Sequence, residues 1–162
     1  MRTALTCLGL AVALGVVYGG DAPSYADSIM TRATGAKGTL MCGKSPAANV
    51  RVRLFRKESD DPKEILDSKI TGSDGKFEVE GNTADRSGEE TNIEPVLKFY
   101  HKCDEKEEKK GYRRFVMKFP NQFVTLGRIA RQHYNVGTLN LEVIFPNEGR
   151  EKNLVDAETK NI

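Results

Sequence analysis

Histidine and cysteine are scarce in this 162-residue chain: it has two His, three Cys and no Trp. Two imidazoles and three thiols leave little room for a conventional metal cluster, because a structural zinc site takes four N or S ligands. Neither charge is in excess. The 25 Lys and Arg face 23 Asp and Glu, for a formal charge of +2 and a pI near 8.4. That balance is not the composition of a dedicated nucleic-acid-binding domain. No Asn-x-Ser/Thr sequon occurs, so N-glycosylation is not expected. Beyond the N-terminal segment no stretch with helical periodicity exceeds two turns. What remains is one polar domain with tails, at 38% hydrophobic and 30% charged residues. A wholly disordered chain would be poorer in apolar residues.

The N-terminus carries the one long apolar run. Met1 and Arg2 supply a positive start, residues 3–20 carry no charge, and Val17, Gly19 and Gly20 are the small residues a processing protease requires. This is the pattern of a secretory signal peptide, placed at 1–19 with cleavage after Gly19 or Gly20. No transmembrane segment is then expected in the mature chain, and the protein is expected to be secreted and extracellular. Removal of Arg2 and Cys7 leaves 24 basic and 23 acidic side chains, a charge of +1, and two cysteines, Cys42 and Cys103. In an oxidising compartment two cysteines are most simply one disulfide, the alternative being two buried thiols. Closing a loop of about 60 residues removes ~4 kcal/mol of unfolded-chain entropy.

Residues 20–37 lack periodicity and read as a flexible lead-in. From Gly38 short apolar segments alternate with turns. In NVRVRLFR (49–56) Val50, Val52 and Leu54 alternate with Arg51, Arg53 and Phe55, which marks a half-buried strand. ILDSKIT (65–71), KFEVE (76–80), PVLKFYHKC (95–103), YRRFVMKF (112–119) and TLNLEVIF (138–145) continue the pattern, and 104–110 forms a charged hairpin tip. Residues 123–131 are irregular to short strand, and 147–162 read as a polar, mobile tail. The fold class expected is all-β: an antiparallel sandwich of about seven to eight strands over residues 38–146.

Several blocks carry a family resemblance. Gly38-Thr39-Leu40-Met41-Cys42-Gly43-Lys44, then Pro46-Ala47 and Asn49-Val50-Arg51-Val52, resemble the opening of the nematode transthyretin-like family. The likeness continues through Ile65-Leu66-Asp67, the turn Ser73-Asp74-Gly75-Lys76-Phe77, and residues 93–103 with Tyr100, His101 and Cys103, to Gly137-Thr138-Leu139-Asn140-Leu141-Glu142. It implies a secreted transthyretin-like (prealbumin-like) β-sandwich from a family mostly without assigned chemistry. Cys42 and Cys103 stand at the family's two most typical cysteine positions, which favours their pairing.

A catalytic role is not expected. The transthyretin-related hydrolases of 5-hydroxyisourate need clustered His and Arg and a closing Tyr-Arg-Gly-Ser motif. This chain offers only His101, His133 and Arg131, and reads Thr159-Lys160-Asn161-Ile162 at its end. No cofactor and no metal are expected. The remaining signal is a basic patch of Arg51, Arg53 and Lys57 on one strand with Arg113, Arg114 and Lys118 on the return strand, interleaved with Tyr112, Phe115 and Phe123. Such a patch suits an anionic phospholipid surface or an acidic extracellular protein. The function expected is a secreted, non-enzymatic binding module engaging a cell-surface receptor or anionic lipid. The alternative is a carrier of small hydrophobic, hormone-like ligands.

Overall fold

The computed structural model describes residues 30–154, so the expected signal peptide and the first part of the lead-in lie outside the described residues. Ten strands follow in chain order: β1 (Arg32–Cys42), β2 (Ser45–Pro46), β3 (Arg51–Phe55), β4 (Ile65–Ile70), β5 (Lys76–Asn82), β6 (Val96–His101), β7 (Tyr112–Lys118), β8 (Thr125–Leu126), β9 (His133–Asn140) and β10 (Gly149–Glu151). They form two five-stranded sheets. The first gathers β2, β5, β8 and β9 around β1, and the second runs β10-β7-β6-β3-β4. The all-β sandwich is as expected; three of its strands are only two or three residues long.

Burial alternates along β5 and, less sharply, β7, whereas β3, expected to be half-buried, and β6 are buried at every position because their outer-face Arg51, Arg53 and Lys98 are covered. In β5, Phe77 and Val79 are buried while Lys76, Glu78 and Glu80 face solvent, as a strand with one wet face requires. β1 does not alternate either, and it begins at Arg32, not at Gly38, so the second half of the expected lead-in is strand. Its Ala and Gly residues have a packing reason. β1 is central, paired with β5 from Ala33↔Asn82 to Thr39↔Lys76 on one side and with β9 from Gly35↔His133 to Met41↔Asn140 on the other. A Cβ on Gly35 would stand 2.5 Å from His133 Cδ2, and one on Gly38 would stand 2.3 Å from Val136 Cγ2. Only glycine lets those side chains cross the strand.

Two further boundaries differ from expectation. The expected strand 138–145 is shifted forward to His133–Asn140, and it pairs parallel to β1, the one parallel pairing among the described residues. Residues 149–151 of the expected tail are strand, with Gly149, Arg150 and Glu151 opposite Arg114, Arg113 and Tyr112 of β7.

Between the sheets lies a column of aromatic rings. Phe99 stacks on Phe115 at 4.5 Å, Phe115 stacks on Phe145 at 3.9 Å, and Phe77 meets Phe99 edge-on at 5.6 Å. Val52, Leu54, Leu97, Val79, Leu40 and Leu141 complete this buried core. Cys42, at the end of β1, is bonded to Cys103, just past β6, with a Cα–Cα distance of 5.6 Å. One covalent bond thus ties the first sheet to the second at one end of the sandwich. No helix among the described residues is long and apolar enough to cross a membrane.

Candidate functional site

The six basic residues picked out in the sequence divide into two sets. Strand parity puts Arg51, Arg53, Arg114 and Lys118 on the outer face of the second sheet. There Arg51 lies opposite Tyr100, Tyr100 lies opposite Arg114, and Arg53 lies opposite Lys98. Lys57 follows just after β3, within 3.5 Å of Glu64. Arg113 points the other way, into the sandwich, and is not part of this face.

Arg113 is buried and uses all five of its N–H donors. Nε and Nη2 donate to the two oxygens of Glu148, at 2.5 and 2.9 Å. Nη1 donates to the carbonyls of Cys103 and Leu141, and Nη2 also donates to that of Val143. These bonds hold the cystine corner against the chain leading into β10. The Arg113 guanidinium holds the Glu148 carboxyl below its usual range. His101 lies close by, 1% exposed, with neither ring nitrogen hydrogen-bonded and Phe115 at 6.1 Å. Burial, helped by the Arg113 charge, pushes its pKa from 6.5 to about 4, so it stays neutral at physiological pH.

The outer face is cationic yet largely covered. Arg53 lies over the Tyr100 ring at 5.4 Å, and Lys98 Nζ over the Phe55 ring at 4.4 Å. Lys98 is only 3% exposed; its ammonium donates to the Ser59 carbonyl and to Asp60 Oδ1, the latter at 2.8 Å. Arg114 Nη1 donates to the same Asp60 oxygen at 2.9 Å. Lys98 and Arg114 together hold the Asp60 carboxyl below its ordinary value. Lys118 pairs with Glu58 at 2.6 Å, both well exposed. Arg56 is locked to Glu64 by two bonds of 2.7 and 2.9 Å. Beside these groups a cavity of about 280 Å³ is lined by Arg53, Phe55, Asp60, Lys98, Tyr100 and Glu151 among others. Of the expected aromatic partners, Phe115 is in the core and Phe123 packs on Phe119 and Tyr134.

A second region was not visible as a site in the sequence. At the β8 end of the first sheet the chain turns through Gly127, and Leu126 and Ile129 are left 58% and 73% exposed. Met30 is exposed nearby, since Gly127 bonds back to Thr31 and Leu126 lies opposite Arg32. Arg128 and Arg131 are exposed on the same turn, and neither enters an ion pair among the described residues. The turn is held by Asn82 Nδ2 donating to the Arg128 carbonyl and by the Ala130 N–H donating to Glu80 Oε1. In the sequence this segment reads only as irregular to short strand. A usable signal was present in the charges instead: residues 109–141 hold seven Lys and Arg and no Asp or Glu.

The two histidines are not brought together. His133 stands beside Gly35 with Nε2 3.1 Å from Glu80 Oε2, whereas His101 lies two residues from Cys103. Gly35 and Cys42 are separated by roughly 20 Å of strand. Lacking a paired-imidazole centre, the described residues amount to a disulfide-pinned sandwich with one covered and one open cationic region. The family model described as TTR-52, Transthyretin-like family, matches residues 37–120. The chain is 43% identical over 116 residues to Transthyretin-like protein 46 of Caenorhabditis elegans, covering 71% of this chain and 63% of that one. It is 34% identical over 126 residues to Transthyretin-like protein 33 (77% and 85%) and 34% identical over 131 residues to Transthyretin-like protein 5 (80% and 91%), both of the same organism. The chain belongs to the transthyretin-like family. It spans a little under two thirds of the length of the first of these relatives.

Proposed function

We propose that the protein is a secreted, non-enzymatic binding module of the extracellular space that docks on anionic phospholipid surfaces through its β8 end. The observation that carries this reading is the juxtaposition of exposed Leu126 and Ile129 with Arg128 and Arg131 on one turn. Inserting an aliphatic side chain fully into an apolar phase contributes ~1.5–3 kcal/mol. A basic residue near an anionic surface adds about 1 kcal/mol. Two of each give reversible docking, not permanent anchoring, once the loss of translational freedom is deducted. Secretion is supported by the charge-free N-terminal run and by the Cys42–Cys103 bond, which needs an oxidising compartment to persist.

Co-sedimentation with phosphatidylserine vesicles at low salt is the test, with phosphatidylcholine vesicles as the reference. Wild type binds the anionic vesicles, and Leu126→Asp with Ile129→Asp loses binding by about tenfold or more. Unchanged co-sedimentation of that double variant removes the reading.

A further inference from the structure

Asp60 is oddly placed for a residue whose carboxylate serves two cations. Its side chain is 84% exposed, on the loop between β3 and the 3-10 turn Pro62–Glu64. One of its partners, Lys98, is almost wholly buried. A single oxygen, Oδ1, accepts from both Lys98 Nζ and Arg114 Nη1. Two fixed cations, a neighbouring cavity bearing Arg53, and an exposed loop carboxylate resting on them make an anion site already occupied by the chain itself. The sheet supplies the rigid half, since Lys98 and Arg114 are on adjacent paired strands. The loop supplies the replaceable half.

We infer that Lys98 and Arg114 form an oxyanion site on the outer face of the second sheet, with Asp60 as its built-in occupant and a phosphate monoester as its ligand. The charge argument selects the ligand. An attached carboxylate competes at high effective concentration, so a free monocarboxylate gains nothing by replacing it. A phosphate monoester carries close to two charges at neutral pH and offers three acceptor oxygens, one for each cation and a third toward the cavity. Glu151 also lines that cavity and opposes an anion, so the ligand enters from the Asp60 side. The site lies on the other sheet from the β8 turn and does not depend on lipid docking.

The test titrates inorganic phosphate into the full-length protein and follows it by calorimetry or amide NMR shifts. Asp60→Asn keeps the loop's shape and removes the competitor; it is expected to bind phosphate about tenfold more tightly than wild type, because apparent affinity scales with the fraction of open site. Adding Arg114→Gln returns the affinity to wild type or below, and Arg114 is exposed enough for that variant to fold. Acetate at matched ionic strength gains no such affinity. Glycerol phosphate and phosphatidic-acid vesicles then separate a soluble ester from a lipid headgroup; because the β8 turn meets any anionic vesicle in both proteins, only a gain of Asp60→Asn over wild type that Arg114→Gln abolishes counts for the site. Equal phosphate affinity of Asp60→Asn and wild type overturns the proposal. So does a tightened affinity that survives Arg114→Gln, or one that acetate shares.

Discussion

The molecule has two cationic regions that use the same residue types in opposite ways. On the outer face of the second sheet, Lys98, Arg114 and Lys118 are each matched by a carboxylate, and Arg113 on the inner face is matched by Glu148. At the β8 turn, Arg128 and Arg131 stand exposed beside Leu126 and Ile129. The difference comes from where the acids fall in the chain. The loop between β3 and β4 carries Glu58, Asp60, Asp61 and Glu64, and it folds over the second sheet. Residues 109–141 carry no acid, so cations on the β8 turn have none of their own stretch to meet. A basic residue is therefore structural or available according to the loops that reach it, not according to the strand that bears it.

The sharpest way to break this comparison is to remove the paired inner-face arginine of the second sheet and, separately, an exposed arginine of the β8 turn. Arg113→Met leaves Glu148 and three carbonyls without their donor, and removing one partner of a buried pair costs about 3 to 5 kcal/mol. Arg131→Ala touches an exposed side chain and stays within about 0.5 kcal/mol of wild type. Urea unfolding of both variants measures the contrast. Equal losses would show that burial and pairing do not separate the two regions.

Acid comes next in size and acts on one region only. His101 has its folded pKa at about 4 against an ordinary 6.5, because burial and Arg113 disfavour its charged form. A depressed folded pKa means that the unfolded chain takes up the proton first. The stability it contributes is complete above pH 6.5 and declines down to about pH 4, by an amount on the order of 3 kcal/mol. Glu148 and Glu64 are also depressed, held down by Arg113 and Arg56. Their contribution is present above the unfolded value near 4.5 and is lost as pH falls through their folded values. Unfolding midpoints therefore fall in two stages, and His101→Leu flattens the first while leaving the second. A variant that keeps the drop between pH 6.5 and 4.5 contradicts the assignment to His101.

These contrasts also mark what the sequence makes legible. Alternation in the sequences of β3, β5 and β6 is a local fact that suffices for the sandwich, while Cys42–Cys103 is legible from two remaining cysteines together with the family resemblance. The first half of β1 is not legible in that way. Its Ala33, Gly35 and Ala36 resemble a linker until His133 and Val136 are known to cross it. The parallel β1–β9 pairing joins residues about 100 positions apart. How the basic residues are paired is illegible for the same reason of range. Asp60 reaches Lys98 across 38 positions and Arg114 across 54, and no strand pattern encodes that meeting. Exposure of Leu126 and Ile129 is illegible for a related reason, since an irregular segment does not tell which of its apolar residues a neighbour covers.

Smaller still is the effect expected where the two regions come closest to resembling each other. Lys118 lies on the paired sheet, yet it is as exposed as a loop residue, and its partner Glu58 is exposed as well. Each shifts the other's titration in the favourable direction, chiefly through the hydrogen bond between them. Solvent screens such a pair, and holding two long side chains together costs entropy, so the geometry does not translate into stability. Lys118→Gln is expected to leave the melting temperature where it was and to leave vesicle binding unchanged, because the released Glu58 is on the second sheet and not at the β8 turn. Arg128→Gln alters no fold contact either, but it weakens co-sedimentation by several-fold and reduces its salt dependence, about 1 kcal/mol being the share of one basic residue at an anionic surface. Equal vesicle binding of the two variants would mean that exposure alone, and not the company of Leu126 and Ile129, decides which cations the protein presents.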